Sequence, residues 1–258
     1  MVLDLSPAPG AATSWSAFLA QTGLELKLVL RNGEQALLTL IIPLVLLGGL
    51  GSTSIVQMGT TSRIATALAG VLAVAVLSSA FTGPAIAVGF DRRSGSLRLL
   101  GTTPLRRSIL IAAKATSILI VEGVQVVLLG LMAGILGWKP TQSTLQLLPT
   151  AFALILLATL AFSALAVALA GWLRAEATLA VANALFVLLL LGGGTALPPE
   201  KLPHQLATLT SYLPSGALGD GLRACLSAGT ASVGHCAVIL GIWALLGVGV
   251  AARTFKWD

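Results

Sequence analysis

Few side chains in this sequence could do chemistry, and they fall at two places. The first is Glu122, with Gln125 one helical turn later, inside the oily stretch 108–137. A charge near the bilayer centre costs about 2.5–3.5 kcal/mol on insertion scales, so this carboxyl must face protein or water. Two readings stand for the pair: a translocation-pathway or proton-sensitive group, and a hydrogen-bonded or protonated carboxyl that holds helices together. The second place is residues 90–107, FDRRSGSLRLLGTTPLRR, which hold five of the fifteen Lys and Arg residues. Little else qualifies. His204 and His235 have no third ligand nearby, so no metal site is expected. The clustered His, Asp or Ser–His partners that an intramembrane enzyme needs are not visible, so no catalytic residue is expected either.

The elements that must position these groups follow from composition. The chain has 258 residues, of which 56% are hydrophobic and 9% charged, with a mean hydropathy of +0.97. Soluble domains carry about 25% charged residues, so this chain cannot coat a water-facing surface and reads as a membrane protein. Six spanning helices are expected, at about 35–51, 64–89, 108–137, 148–173, 178–195 and 233–252. Pro43 predicts a kink in the first. The opening residues lack a basic start followed by an apolar run, so the first span is expected to be retained. The whole chain, 1–258, reads as one all-α polytopic domain without an internal repeat.

With the N-terminus inside, ten Lys and Arg residues fall on the inner side and four on the outer, leaving out Lys114, which can snorkel from the third span. Both termini are therefore expected in the cytoplasm, and 90–107 becomes the largest cytoplasmic connector. The net charge of +6 is explained by this bias, and no basic face outside the connectors suggests nucleic acid as a partner. Residues 14–34 place Ser14, Gln21, Glu25 and Asn32 on one helical face and predict an interfacial helix. An ordinary extension of the first span is the alternative. Residues 196–232 are cut by prolines into pieces too short to cross, and predict short re-entrant helices at the outer face. Cys225 and Cys236 would lie at that outer edge, where a disulfide could persist, or serve as small apolar residues in helices. Arg174 and Glu176 share the short inner connector RAEA and read as a solvated pair or a second partner contact.

Within 90–107, charge bias accounts for the arginines but not for the rest. Leu97, Leu99 and Leu100 give a short helix an apolar side, Gly101 is a natural stop, and Thr103–Pro104 reads as the cap and first position of the third span. FDRRSGSLRLLGTTPLRRSILIAAK resembles the signature of permease subunits of ABC exporters of the ABC-2 type. The matching positions are Phe90, Asp91, Arg92, Gly95, Leu97, Leu100, Thr103, Pro104, Leu105 and Lys114, with aspartate standing where the family often has glutamate. The resemblance implies that Asp91, Arg92, Gly95, Leu97, Leu100, Thr103, Pro104 and Leu105 form a coupling helix that docks on an ATPase subunit. It also implies two permease chains, identical or homologous, with two ATPase copies, and outward transport across a bacterial cytoplasmic membrane. No G-x-x-x-x-G-K-[ST] phosphate loop is present, so ATP and Mg are expected in the partner and no cofactor in this chain. The near-absence of charge in the spans favours a hydrophobic or amphipathic substrate such as a drug, lipid or lipid-linked compound. An autonomous secondary transporter using Glu122 and a non-transporting assembly subunit are the alternatives.

Overall fold

The computed structural model describes residues 12–52, 63–140, 143–193, 204–227 and 231–254. Helix α1 (Ser14–Arg31) starts where the Thr13 hydroxyl accepts the Ser16 N–H at 3.2 Å, an ordinary N-cap. It is followed at once by α2 (Gly33–Ser52), which carries Pro43. Next comes one continuous helix of 31 residues, Arg63–Arg93. It is built from α3 (Arg63–Leu77), a π turn over Ser78–Thr82 and α4 (Gly83–Arg93). Pro84 accounts for the widened turn: it has no N–H, and its ring collides with the carbonyl one α-turn back, so the ladder shifts register just before it. The Gly83 N–H accordingly reaches back to the Ser78 carbonyl.

The short α5 (Ser96–Gly101) crosses between α4 and α6 (Arg107–Ile135). Thereafter come α7 (Thr144–Trp172), α8 (Ala175–Gly192), α9 (His204–Ser211), α10 (Pro214–Leu226) and α11 (Val233–Thr254). Among the described residues every element is helical, and five helices are long and apolar enough to cross a membrane: Arg63–Arg93, α6, Leu145–Trp172, α8 and α11. The expected first span corresponds to α2, whose apolar part, Thr39–Gly51, is shorter.

The core lies where α3, α7, α10 and α11 meet, around Leu68, Leu77, Phe162, Leu218 and Leu240. Helix α10 is buried along almost its whole length, with the Arg223–Asp220 pair (2.7 Å) inside it. Gly216 permits this: a Cβ there would stand 1.9 Å from the Thr210 carbonyl oxygen. Of the expected re-entrant stretch 196–232, residues 196–203 and 228–230 lie outside the described residues, and the rest forms α9 and α10. Cys225 and Cys236 are buried free thiols within the core, so the small-apolar reading applies to them and not the disulfide.

One end of the bundle collects the charged connectors. Arg92 reaches the C-terminal carbonyls of α7, Arg93 pairs with Glu176 on α8, and Lys114 pairs with Glu25 on α1. At the same end a Cβ on Gly171 would lie 2.8 Å from the Thr254 carbonyl oxygen. The first described helix and the end of the last therefore share that end with α5. Glu176 takes Arg93 and not its connector neighbour Arg174; both partners are largely exposed, so the pair contributes little.

Candidate functional site

The connector between α4 and α6 is more constrained than a solvated loop. Helix α4 runs through Arg93 and ends on Ser94, and Gly95 then turns the chain with φ 76°, a left-handed conformation open to glycine at little cost. Ser94 and Ser96 do not cap the new helix: their hydroxyls lie 2.7 Å from each other, and Ser94 also bonds the Asp91 carbonyl. The six-residue α5 follows and stops at Gly101 as expected. The next helix starts later than Thr103–Pro104 predicts, at Arg107. The Thr103 hydroxyl donates to the Leu100 carbonyl at 2.6 Å and closes a turn there, and Arg106 stays extended.

Leu97 fixes the orientation of α5. It is fully buried among Val88, Leu110, Val167 and Ala170, with Leu100 and Leu105 packed against the same cluster. Three of the leucines expected on the docking face therefore turn into the chain's own core. The surface that α5 and its exit turn present instead is Arg98, Leu99, Thr103, Pro104 and Arg106, with Leu99 71% exposed. Sequence reasoning noted Leu99 but did not place it among the contact residues. Its position two residues from Leu97 on a helix, near the opposite face, was the available signal.

The two charged residues that open the connector are also engaged. The Arg92 guanidinium donates to the Ala170 carbonyl at 2.5 Å and the Leu173 carbonyl at 3.5 Å, where α7 leaves its last carbonyls without helical partners. Asp91 accepts from Lys114 at 3.2 Å, and Lys114 also holds Glu25. Gln21 donates to Glu25 at 2.9 Å and completes a polar seam between α1 and α6. Helix α1 thus turns Gln21, Thr22 and Glu25 to the protein, while Ser14 and Asn32 at its ends stay exposed along with Trp15, Leu19, Leu28 and Leu30. A helix bathed in water would do the reverse.

Deeper in the bundle, Glu122 is 1% exposed. Ser79, in the π turn, has its hydroxyl 2.9 Å from one carboxyl oxygen, and Thr159 of α7 lies 2.5 Å from the other. Three helical segments therefore converge on one carboxyl. The structure separates it from Gln125, whose amide instead donates to the Thr39 carbonyl of α2 at 2.8 Å. Ser163 Oγ, Thr82 Oγ1 and Gln125 Oε1 are buried polar atoms without a hydrogen-bond partner. Beside Glu122 a cleft of about 380 Å³ opens between α6 and α7, lined otherwise by apolar side chains and Gly123.

No curated protein matches the chain. A family model described as ABC-2 family transporter protein matches residues 49–253, which is 205 of the 258 residues and includes the connector, Glu122 and α10. The chain is therefore a multi-pass membrane protein that belongs to the ABC-2 family of transporter proteins.

Proposed function

We infer that this chain is the membrane-spanning permease of an ATP-driven exporter and docks on a separate ATPase subunit through α5. The observation that carries the reading is the split within the connector. Leu97 locks α5 to the bundle, and Leu99 with Arg98 is left outward on a rigid base. An exposed leucine beside an arginine, on a helix tied to two spans, suits a partner that must push on both. Hydrolysis in the partner would bias the permease between two states through its different affinity for each.

In this reading α2 completes a set of six spans, both chain ends lie on the cytoplasmic side, and α9 and α10 cover the outer ends of the spans. Two permease chains work with two ATPase copies, and ATP and Mg stay in the partner. The substrate is hydrophobic or amphipathic and moves outward across the bacterial cytoplasmic membrane. Asp91, Arg92, Gly95, Leu97, Leu100 and Leu105 set the pose of the coupling helix, and Thr103 and Pro104 belong to its exposed exit. Glu122 is the pathway residue, and Gln125 supports it by fastening α2 to α6.

Co-purification from native membranes in mild detergent tests this. A stoichiometric ATPase should accompany the wild-type chain and be lost with Leu99→Glu, a variant whose thermal stability should be unchanged. Absence of any ATPase beside the folded wild-type chain would overturn the reading.

A further inference from the structure

We propose that the cleft between α6 and α7 is a binding site for a single-chain amphiphile with a primary ammonium head, entered sideways from the bilayer, with Glu122 as the counter-charge. The inference needs α6 and α7 to lie in the membrane, and it does not need an ATPase.

The volume suits such a ligand: about 380 Å³ falls within the range of about 300–1,000 Å³ usual for small-molecule sites. The walls are apolar, with Val126 on α6 and Leu148 and Phe152 on α7. Leu148 and Phe152 are 55% and 61% exposed, so the mouth faces the surroundings of the bundle and not its interior. Gly123 is exposed on the α6 side of the mouth, where a Cβ would meet nothing within 4 Å, so the entrance is unobstructed. Glu122 is held by Thr159, and Leu148 lies eleven residues earlier on the same helix. The α7 lining itself runs from Leu148 to Ile155, so at 1.5 Å per residue the groove extends about 10 Å along α7, which is room for a short alkyl chain.

The head group follows from the one polar side chain in the lining. A carboxylate has about four acceptor positions, and the Ser79 and Thr159 hydroxyls fill at most two of them, since each has one proton and also lies 2.9 and 2.8 Å from the Ala75 and Ile155 carbonyls respectively. Among the described residues Glu122 joins no ion pair. An alkylammonium would bring both the missing charge and N–H donors to the remaining lone pairs. An alcohol would bring a donor without the charge, and an anionic head would be repelled. In apolar surroundings the charged donor is the stronger by a wide margin.

The test uses the purified full chain in nonionic detergent and a primary alkylamine whose chain matches that length, carrying a photoreactive group near its tail. The alcohol of equal length, with the same group, is run beside it. Labelled peptides are located by mass spectrometry. The amine should label the 119–126 and 148–155 segments about tenfold more efficiently than the alcohol, as expected for a charge-assisted bond. Glu122→Gln should bring the amine down to the level of the alcohol. Gly123→Leu, which narrows the mouth and leaves the carboxyl in place, should reduce both probes. Equal labelling by amine and alcohol in the wild type would overturn the proposal, as would labelling confined to other segments. If Glu122→Gln fails to fold, an undiminished signal in Gly123→Leu would still overturn it. Because labelling requires neither ATP nor a partner, a positive result without a co-purifying ATPase would sink the exporter reading alone.

Discussion

Lys114 Nζ lies 3.2 Å from Asp91 Oδ2, and the same ammonium reaches both carboxylate oxygens of Glu25 at 2.9 and 3.0 Å. One cation on α6 thus joins the start of the connector to the helix that precedes the first apolar stretch. All three groups are largely withdrawn from solvent, and none is more than 35% exposed. Such a set is costly to break and cheaper to delete whole, because a lone buried charge keeps its desolvation penalty without its partner. Lys114→Met should lower stability by about 2–3 kcal/mol, on the scale of hydrogen bonds to charged groups. Adding Glu25→Gln and Asp91→Asn should restore much of the loss. Thermal unfolding in detergent of the single and triple variants checks this, and an unchanged melting temperature for Lys114→Met would show that the set contributes nothing.

Arg92 should behave as the C-terminal clamp of α7 and not as a free surface charge. Arg92→Ala leaves the Ala170 carbonyl without its donor and should cost about 1.5–3 kcal/mol. Both carbonyls are reached by the same nitrogen, Nη1; lysine keeps a charged donor but not the planar guanidinium that positions it, so Arg92→Lys should fall between. Hydrogen exchange in the last turn of α7, faster in Arg92→Ala than in wild type, is the local readout.

Leu97 and Leu99 should divide stability from coupling. Leu97→Ala opens a cavity beneath α5 and should destabilise by about 2–5 kcal/mol. Leu99→Ala removes an exposed side chain and should leave the melting temperature within error while weakening retention of the ATPase. Equal destabilisation by the two variants would mean that α5 is not oriented as described.

Gly95 should be replaceable only by a residue that tolerates its backbone. At φ 76° alanine costs about 1–2 kcal/mol, whereas asparagine enters the left-handed region more easily. Gly95→Ala should therefore lower both stability and co-purification of the ATPase, with Gly95→Asn between it and wild type. Two melting curves and one pull-down decide the order.

Gly216 should tolerate no side chain at all. Its Cβ would overlap the Thr210 carbonyl, which is backbone and cannot swing away. Gly216→Ala should cost at least about 1–3 kcal/mol through overpacking. The loss should appear as faster exchange at the end of α9 and in α10, and unchanged exchange there would show that the two helices part freely.

Composition, the spacing of oily runs and the placing of Lys and Arg were enough to determine a helical membrane protein, a charged connector after Phe90 and the short helix that stops at Gly101. Those features are local: an apolar run must be helical in lipid, and glycine ends a helix wherever it occurs. Pattern could not decide which side of each helix meets protein. In lipid both the buried and the exposed faces of a span are apolar, and on α5 the spacing says that Leu97 and Leu99 face apart but not which of them is sealed in the core. Nor could it place partners distant along the chain. Arg92 finds a carbonyl 78 residues away, Glu122 finds Ser79 and Thr159 on two other helical segments, and Lys114 finds Glu25 across 89 residues. The start of α6 moved from Pro104 to Arg107 for the same reason, since docking of Leu97, Leu100 and Leu105 stretches the chain that follows. Only tertiary packing, which decides what each buried polar group has within reach, settled those points.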